Sequence, residues 1–466
     1  MTLPDLTTLT LAEAAAHIRA GTLSPLTLTE AYLERIARLN PALNAFITVT
    51  AERARQDAAA AEREIAAGRY HGTLHGIPLA YKDLFETAGI LTTAGSQHFA
   101  DHIPGRDAAV VDKLTHAGAV LLGKTNMHEI ALGVLNDNPF YGHCHNPYDV
   151  ARISGGSSGG SAVALAAGLC LGALGSDTRG SIRIPAALCG VVGFKPTYGR
   201  ISLRGTMPLS WSLDHAGPMA RTVRDVAILY EALAGYDPDD PFSIDYPMGD
   251  VQGDLEGGIV GWRVAAADDD YFQAADPDIT AAFEAAVGVF TTLGADVQWV
   301  DMSWLRAAGA QTRIMRGADA AAFHRERIER HPEKFSPPIL ARLQEDSAFT
   351  AIEYAEARHV QSLATHRLGA FFEGYDLLLT SATPLPALSP EAAIAWTERG
   401  YDYNRFCTPF NMTGVPALSL PGGFTRDGLP IGLQLVAPQT MERHLLRAAY
   451  AYEKATQWTE RHPNFA

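Results

Sequence analysis

The chain has 466 residues, 47% of them apolar and 19% charged, with a formal net charge of −15. That length allows one very large domain or two to three ordinary ones around a sizeable core. No Lys/Arg run offsets the acidic balance, so the chain is not expected to grip nucleic acid by itself, because phosphate binding needs a basic surface. A nucleic acid carried by a partner protein is not excluded on this ground.

Cys144, Cys170, Cys189 and Cys407 show no paired spacing and read as reduced thiols of a cytoplasmic protein. Residues Met1–Leu6 lack a basic and apolar leader pattern, so no signal peptide is expected. No run of 18 apolar residues predicts a transmembrane helix.

Residues 1–68 read as helical. Thr10 caps a helix over Leu11–Ala20 that Gly21 stops, a second runs over Thr27–Leu39 before Asn40-Pro41, and an alanine-rich third covers Ala51–Gly68. Residues 74–235 alternate strand and helix: Ile77–Tyr81 strand, Asp107–His116 helix, Val120–Leu122 strand, Ser161–Ala167 helix, Cys170–Leu174 strand, Ser181–Leu188 helix, then a helix over Val223–Ala234 capped by Thr222. Such alternation predicts a sheet covered on both faces.

Asp237–Gly258 is rich in Pro, Asp and Gly and reads as a loop. A βαβ unit follows over Ile259–Ala265, Pro277–Leu293 and Asp296–Val300; Ala308–Phe372 reads as largely helical. Tyr375–Thr380, Ala417–Leu420 and Gly432–Val436 are strand candidates, and Glu442–Thr456 a closing helix. The expected organisation is a single α/β domain, with 1–68 a helical lead-in, 74–235 the catalytic core, 240–370 an elaboration and 375–466 the rest of the core.

Three motifs carry the chemistry. Ser181 lies in Ser176-Asp-Thr-Arg-Gly-Ser181-Ile-Arg-Ile-Pro185, after a strand and before an apolar helical segment. That position puts its hydroxyl among unpaired backbone N–H groups, and those of Thr178, Arg179, Gly180 and Ser181 form a candidate oxyanion hole. Alone, such a serine is more often a helix cap. Ser157 and Ser158 sit within Gly155-Gly-Ser-Ser-Gly-Gly-Ser161, whose glycines open backbone conformations closed to other residues. A phosphate nest competes for that stretch. Lys82 follows the apolar strand; if it stays inside, desolvation drives its pKa from about 10.4 towards neutrality and makes it a usable base. If it snorkels, it is an ordinary surface cation.

Two patterns are set aside. Gly118-Ala-Val-Leu-Leu-Gly-Lys-Thr125 fits GxxxxGK[ST], but its centre reads as the strand itself. His143-Cys144-His145 lacks a second ligand pair, and His71 and His75 read as surface loop residues, so no metal is expected.

Taken together, Gly76-Ile-Pro with Lys82-Asp83, the glycine-serine loop, and Asp177 through Ala186 resemble the amidase signature family, including the 24-residue step from Ser157 to Ser181. Gly193–Arg200, Ser212–Pro218, Asn411–Pro416 and Gly428–Gln434 extend the resemblance over nearly the whole chain. It implies a mixed sheet sandwiched between helical layers and a Ser–Ser–Lys triad without a cofactor. Ser181 would be the acyl nucleophile, Ser157 a proton-relaying bridge joined to Gly156 by a cis peptide, and Lys82 the base. Ser158, Asp177 and Arg183 would organise the site. The family usually has glycine where this chain has Arg179. That arginine points to solvent or recognises an anionic group on the substrate.

Two functions follow. The first is a stand-alone amidohydrolase acting on a small-molecule amide, for which Arg183-Ile184-Pro185 and Met207–Asp214 speak. The second is the ammonia-generating A component of a glutamine-dependent tRNA amidotransferase, which alone calls for partner subunits. Neither needs a membrane, and a homodimer stays open. Trp211, Phe140, Tyr141 and Tyr403 are candidates for an apolar acyl pocket, or ordinary packing.

Overall fold

The computed structural model describes residues 6–399 and 402–465. The leader-free stretch expected at Met1–Leu6 falls almost wholly outside them.

Thirteen strands are present among the described residues: β1 (Phe46–Val49), β2 (Pro78–Lys82), β3 (Val120–Thr125), β4 (His145–Asn146), β5 (Asp149–Ile153), β6 (Gly172–Ser176), β7 (Val192–Lys195), β8 (Ala216–Ala220), β9 (Arg263–Ala267), β10 (Asp296–Val300), β11 (Leu377–Ser381), β12 (Ala417–Phe424) and β13 (Pro430–Val436). β4 and β5 form a separate hairpin. The other eleven form one mixed sheet in the order β1-β3-β2-β6-β8-β7-β12-β13-β11-β9-β10. β2 runs parallel to β3 and β6, β9 parallel to β10 and β11, and the strands between them are antiparallel. Helices pack on the sheet, and β2, β3, β6, β7, β8, β11 and β13 are buried along their whole lengths. This is the helix-covered mixed sheet that the sequence predicts.

The N-terminal lead-in is not purely helical. β1 joins the sheet edge antiparallel to β3. The second helix spans Pro25–Leu43, capped by Ser24, and carries Pro41 in its last turn. Asn40 repairs the chain beyond it: its carbonyl accepts from the left-handed Asn44, and its side chain accepts from the Phe46 N–H at 2.9 Å. Thr10 forms a full capping box with Glu13, as the S/T-x-x-E spacing allows.

The 305–371 region resolves into three helices, Leu305–Arg330, Pro337–Asp346 and Ala351–Phe371. A short helix at Val251–Asp254 interrupts the expected 237–258 loop, and Pro390–Glu398 forms a further helix that the periodicity does not indicate. Among the described residues, no helix is long and apolar enough to cross a membrane.

Candidate active site

The site lies at the carboxyl ends of the parallel pair β2 and β6, the usual position for ligands in parallel sheets. Lys82 ends β2 and Ser176 ends β6. The Lys82 side chain is fully buried, and its Nζ donates to Ser157 Oγ at 2.7 Å and to Ser176 Oγ at 2.8 Å. Burial pushes its pKa down to about 7, against the opposing charges of Asp177 and Asp214. The snorkelling alternative therefore does not describe this lysine.

Ser157 sits in the turn between β5 and the helix Gly159–Ala166, and the Gly156–Ser157 peptide is cis. Gly160 locks that turn against the core: a Cβ there would lie 2.5 Å from backbone atoms of Ala45 and Asn126. Ser158 stitches the two motifs together. Its N–H donates to Ser181 O at 3.2 Å, its hydroxyl to Ser176 O at 3.1 Å, and its Oγ accepts from the Ser176 N–H at 3.2 Å. Ser181 is thereby held beside Ser157, with 6% of its surface exposed. No hydrogen bond joins the two serine hydroxyls among the described residues, which leaves Ser181 Oγ uncommitted.

The turn that presents Ser181 is built on Asp177. Its carboxylate accepts from the Gly180 N–H at 2.7 Å, the Ile182 N–H at 3.2 Å, Arg183 Nε and Nη2 at 3.0 Å each, and Asn411 Nδ2 at 2.8 Å. Burial alone would raise the Asp177 pKa; the charge and hydrogen bonds of Arg183, with Asn411 and Lys195, instead hold it well below the usual carboxylate range. Arg183 also donates to Gln434 and Asn411 side chains at 2.7 Å each and to Cys407 O at 3.1 Å. The helix behind it starts at Arg183 rather than Ser181, so Ser181 lies in the turn before it.

The expected set of oxyanion donors needs one correction. The Gly180 N–H turns inward to Asp177, because that carboxylate satisfies the tight turn from below. Gly180 itself adopts φ +109°, and a Cβ there would lie 2.7 Å from Cys407 Cβ. The N–H groups of Thr178, Arg179 and Ser181 have no protein acceptor among the described residues. The Thr178 hydroxyl donates to Asp214 Oδ1 at 2.6 Å, and burial pushes the Asp214 pKa up to about 6.

Ser176, Asp214, Asn411 and Gln434 are contributors to which the sequence alone assigns no role. Ser176 is visible as the first residue of the nucleophile motif. Asp214, Asn411 and Gln434 stand in stretches that extend the family resemblance, but they reach the site from distant segments and the sequence does not say what they touch.

Arg179 does not point to solvent. Its side chain is 16% exposed and its Nη2 lies 3.5 Å from Asp402 Oδ2. Its φ is not among the positive ones, so the turn accepts a side chain there without shifting. Tyr403 is buried and packs with Ile184 and Cys407, while Trp211 is 40% exposed and stands edge-on to Phe323.

The set-aside motifs resolve differently. Lys124 of the GxxxxGK[ST] pattern lies inside β3, fully buried, donating to Phe85 O and Thr92 Oγ1 at 2.7 and 2.8 Å. His143 pairs with Asp137 at 2.8 Å and Cys144 is buried. His71 is a half-exposed loop residue as expected, but His75 is 1% exposed and packs under Gly118. With Glu64 the two histidines bring three ligand-type atoms within 4.8 Å of one another. The His71 N–H donates to His75 Nδ1 at 3.2 Å, so the proton of a neutral His75 ring sits on Nε2, facing Glu64 at 3.4 Å. The trio is joined as a hydrogen-bonded cluster.

A family model described as Amidase matches residues 27–446. The chain belongs to the amidase signature family. It is 37% identical to the A subunit of glutamyl-tRNA(Gln) amidotransferase from Geobacter sp. (strain M21), over 97% of this chain and 98% of that one. Among solved structures it resembles a chain from an inhibitor-bound vestigial protein complex that reveals the evolutionary origins of an s-triazine catabolic enzyme, with TM-score 0.90 and 32% identity over 96% and 99% of the two chains. It also resembles the native peptide amidase from Stenotrophomonas maltophilia, with TM-score 0.86 and 32% identity over 99% and 100%. Amidase-family membership makes the chain a hydrolase of C–N bonds, and the mixed fold is that of these enzymes.

Proposed function

We propose that this chain hydrolyses a carboxamide through an acyl-enzyme on Ser181, and that the carboxamide is the side chain of glutamine. The observation that carries the hydrolytic chemistry is Lys82, buried, with its pKa near 7, and 2.7 Å from Ser157 Oγ. Neutral Lys82 takes the proton of Ser157 as Ser157 takes that of Ser181, and the Ser181 oxygen attacks the amide carbon. The N–H groups of Thr178, Arg179 and Ser181 receive the charge that develops on the carbonyl oxygen. The proton returns through Ser157 to the departing nitrogen, which leaves as ammonia. Water then enters by the same relay and releases the acid.

Glutamine as the ammonia donor is supported by the curated relatives, which are amidotransferase A subunits over almost their full length. On this reading the ammonia passes to a partner protein, and the partner holds any nucleic acid. A cytoplasmic setting belongs to the same reading, supported by four buried, unpaired cysteines.

A stand-alone amidase is the second reading. Arg183-Ile184-Pro185 and Met207–Asp214 favour it, as does the likeness to the peptide amidase. Ammonia release by the purified chain over glutamine, aliphatic amides and aromatic amides separates the two. The glutamine reading predicts release from glutamine and little from the rest. Comparable or faster release from amides unrelated to glutamine would replace it with the second reading.

A further inference from the structure

Arg179 lies two residues before Ser181, yet its guanidinium takes no part in the relay. Consecutive Cα atoms are 3.8 Å apart, so it is anchored within about 7.6 Å of the nucleophile. Its Nε is buried without a hydrogen-bond acceptor, and Asp402 faces it at 3.5 Å with half of its own side chain in water. Arg342 and Arg316 lie close by. Arg316 holds the buried Asp346 at 2.5 Å, Arg342 stands 3.6 Å from the same carboxylate, and the Arg342 Nε also lacks an acceptor. In this group three guanidiniums face two carboxylates, and one of those carboxylates is screened by solvent. Burial lowers the Arg179 pKa, against the pull of Asp402 and with a smaller push from Arg342. A largely buried guanidinium with an unused Nε donor, anchored two residues before the nucleophile, is suited to a planar anion.

We propose that Arg179, flanked by Arg342, binds a carboxylate on the substrate, so that the amide cleaved here is a carboxylate-bearing one whose acid group lies a few bonds from the scissile carbonyl. This rests on Ser181 being the nucleophile. Asp402 occupies Arg179 between turnovers and yields it to the substrate. Glutamine meets the requirement, and so does any short dicarboxylic acid monoamide.

The test uses the monoamide of glutaric acid beside pentanamide, in which a methyl group replaces the carboxylate. In the intact chain the monoamide has the higher kcat/KM, and Arg179→Gln lowers the monoamide-to-pentanamide ratio by about 10- to 100-fold, mostly through KM. Arg179→Lys retains part of the preference, and Asp402→Asn, which removes the competitor, raises it. Calorimetry in a Ser181→Ala background reads the same preference without turnover. An unchanged ratio in Arg179→Gln, or equal binding of the two amides to Ser181→Ala, overturns the proposal. Failure of the underlying chemistry looks different: turnover would then persist in Ser181→Ala.

Discussion

Lys82→Met is expected to lower kcat/KM for any amide substrate by about 10⁴-fold or more, the scale seen when the base of a nucleophilic triad is removed. Methionine keeps much of the apolar stem in the closed end of β2 but cannot take a proton. On the proposed relay the same lysine sets the pH profile of the intact chain. Its folded-state pKa is lowered to about 7, and the neutral form is the base. Below that pH the amine is protonated and kcat/KM should fall tenfold per unit. Above it the rate should level off. A profile flat from pH 5 to 9, or a Lys82→Met variant within tenfold of the intact chain, would remove the lysine from the relay.

Asp177→Ala is expected to cost about 3–5 kcal/mol of stability in urea unfolding, because it leaves the guanidinium of Arg183 buried and uncompensated. The backbone N–H groups of Gly180 and Ile182 lose their acceptor at the same time. Arg183→Met should be destabilising for the mirror-image reason, and the double variant Asp177→Ala/Arg183→Met less so than the two losses added together. A loss below about 1 kcal/mol for Asp177→Ala would show that water replaces the carboxylate and that the turn does not depend on it.

The residues proposed to react are legible in the sequence because short motifs encode turns. Ser157 and Ser181 stand in glycine-bearing segments whose backbone is unusual, and Lys82 ends a strand of apolar residues. The long-range contacts that support them are not legible. Asn411 and Gln434 reach Arg183 across 228 and 251 residues, and only the strand order brings them there. β1 escapes notice because four residues between two helices are too few for a period-2 pattern. β7 and β8 contain glycine or proline and are buried throughout, so they lack the alternation that identifies a half-exposed strand. Pro41 reads as a helix stop, yet it is accommodated because Asn40 and Asn44 satisfy the chain around it.

The inward turn of the Gly180 N–H follows from a partner that the motif itself contains. Asp177 is three residues upstream, an Asx-type spacing that sequence alone leaves open to either a turn or an oxyanion role for that glycine. Arg179 shows the opposite case. Its departure from the family's glycine is plain in the sequence, but only the fold reveals Asp402, Arg342 and Asp346 around it.

The central claim is a covalent acyl intermediate on Ser181. The most direct measurement is mass spectrometry of the chain quenched in acid during turnover of glutamine, followed by proteolysis. The account predicts that the peptide containing Ser181 gains the mass of the substrate less ammonia, and that Ser181→Ala shows neither this adduct nor ammonia release. Ammonia release that continues in Ser181→Ala, or an acyl group carried by another residue, would contradict it.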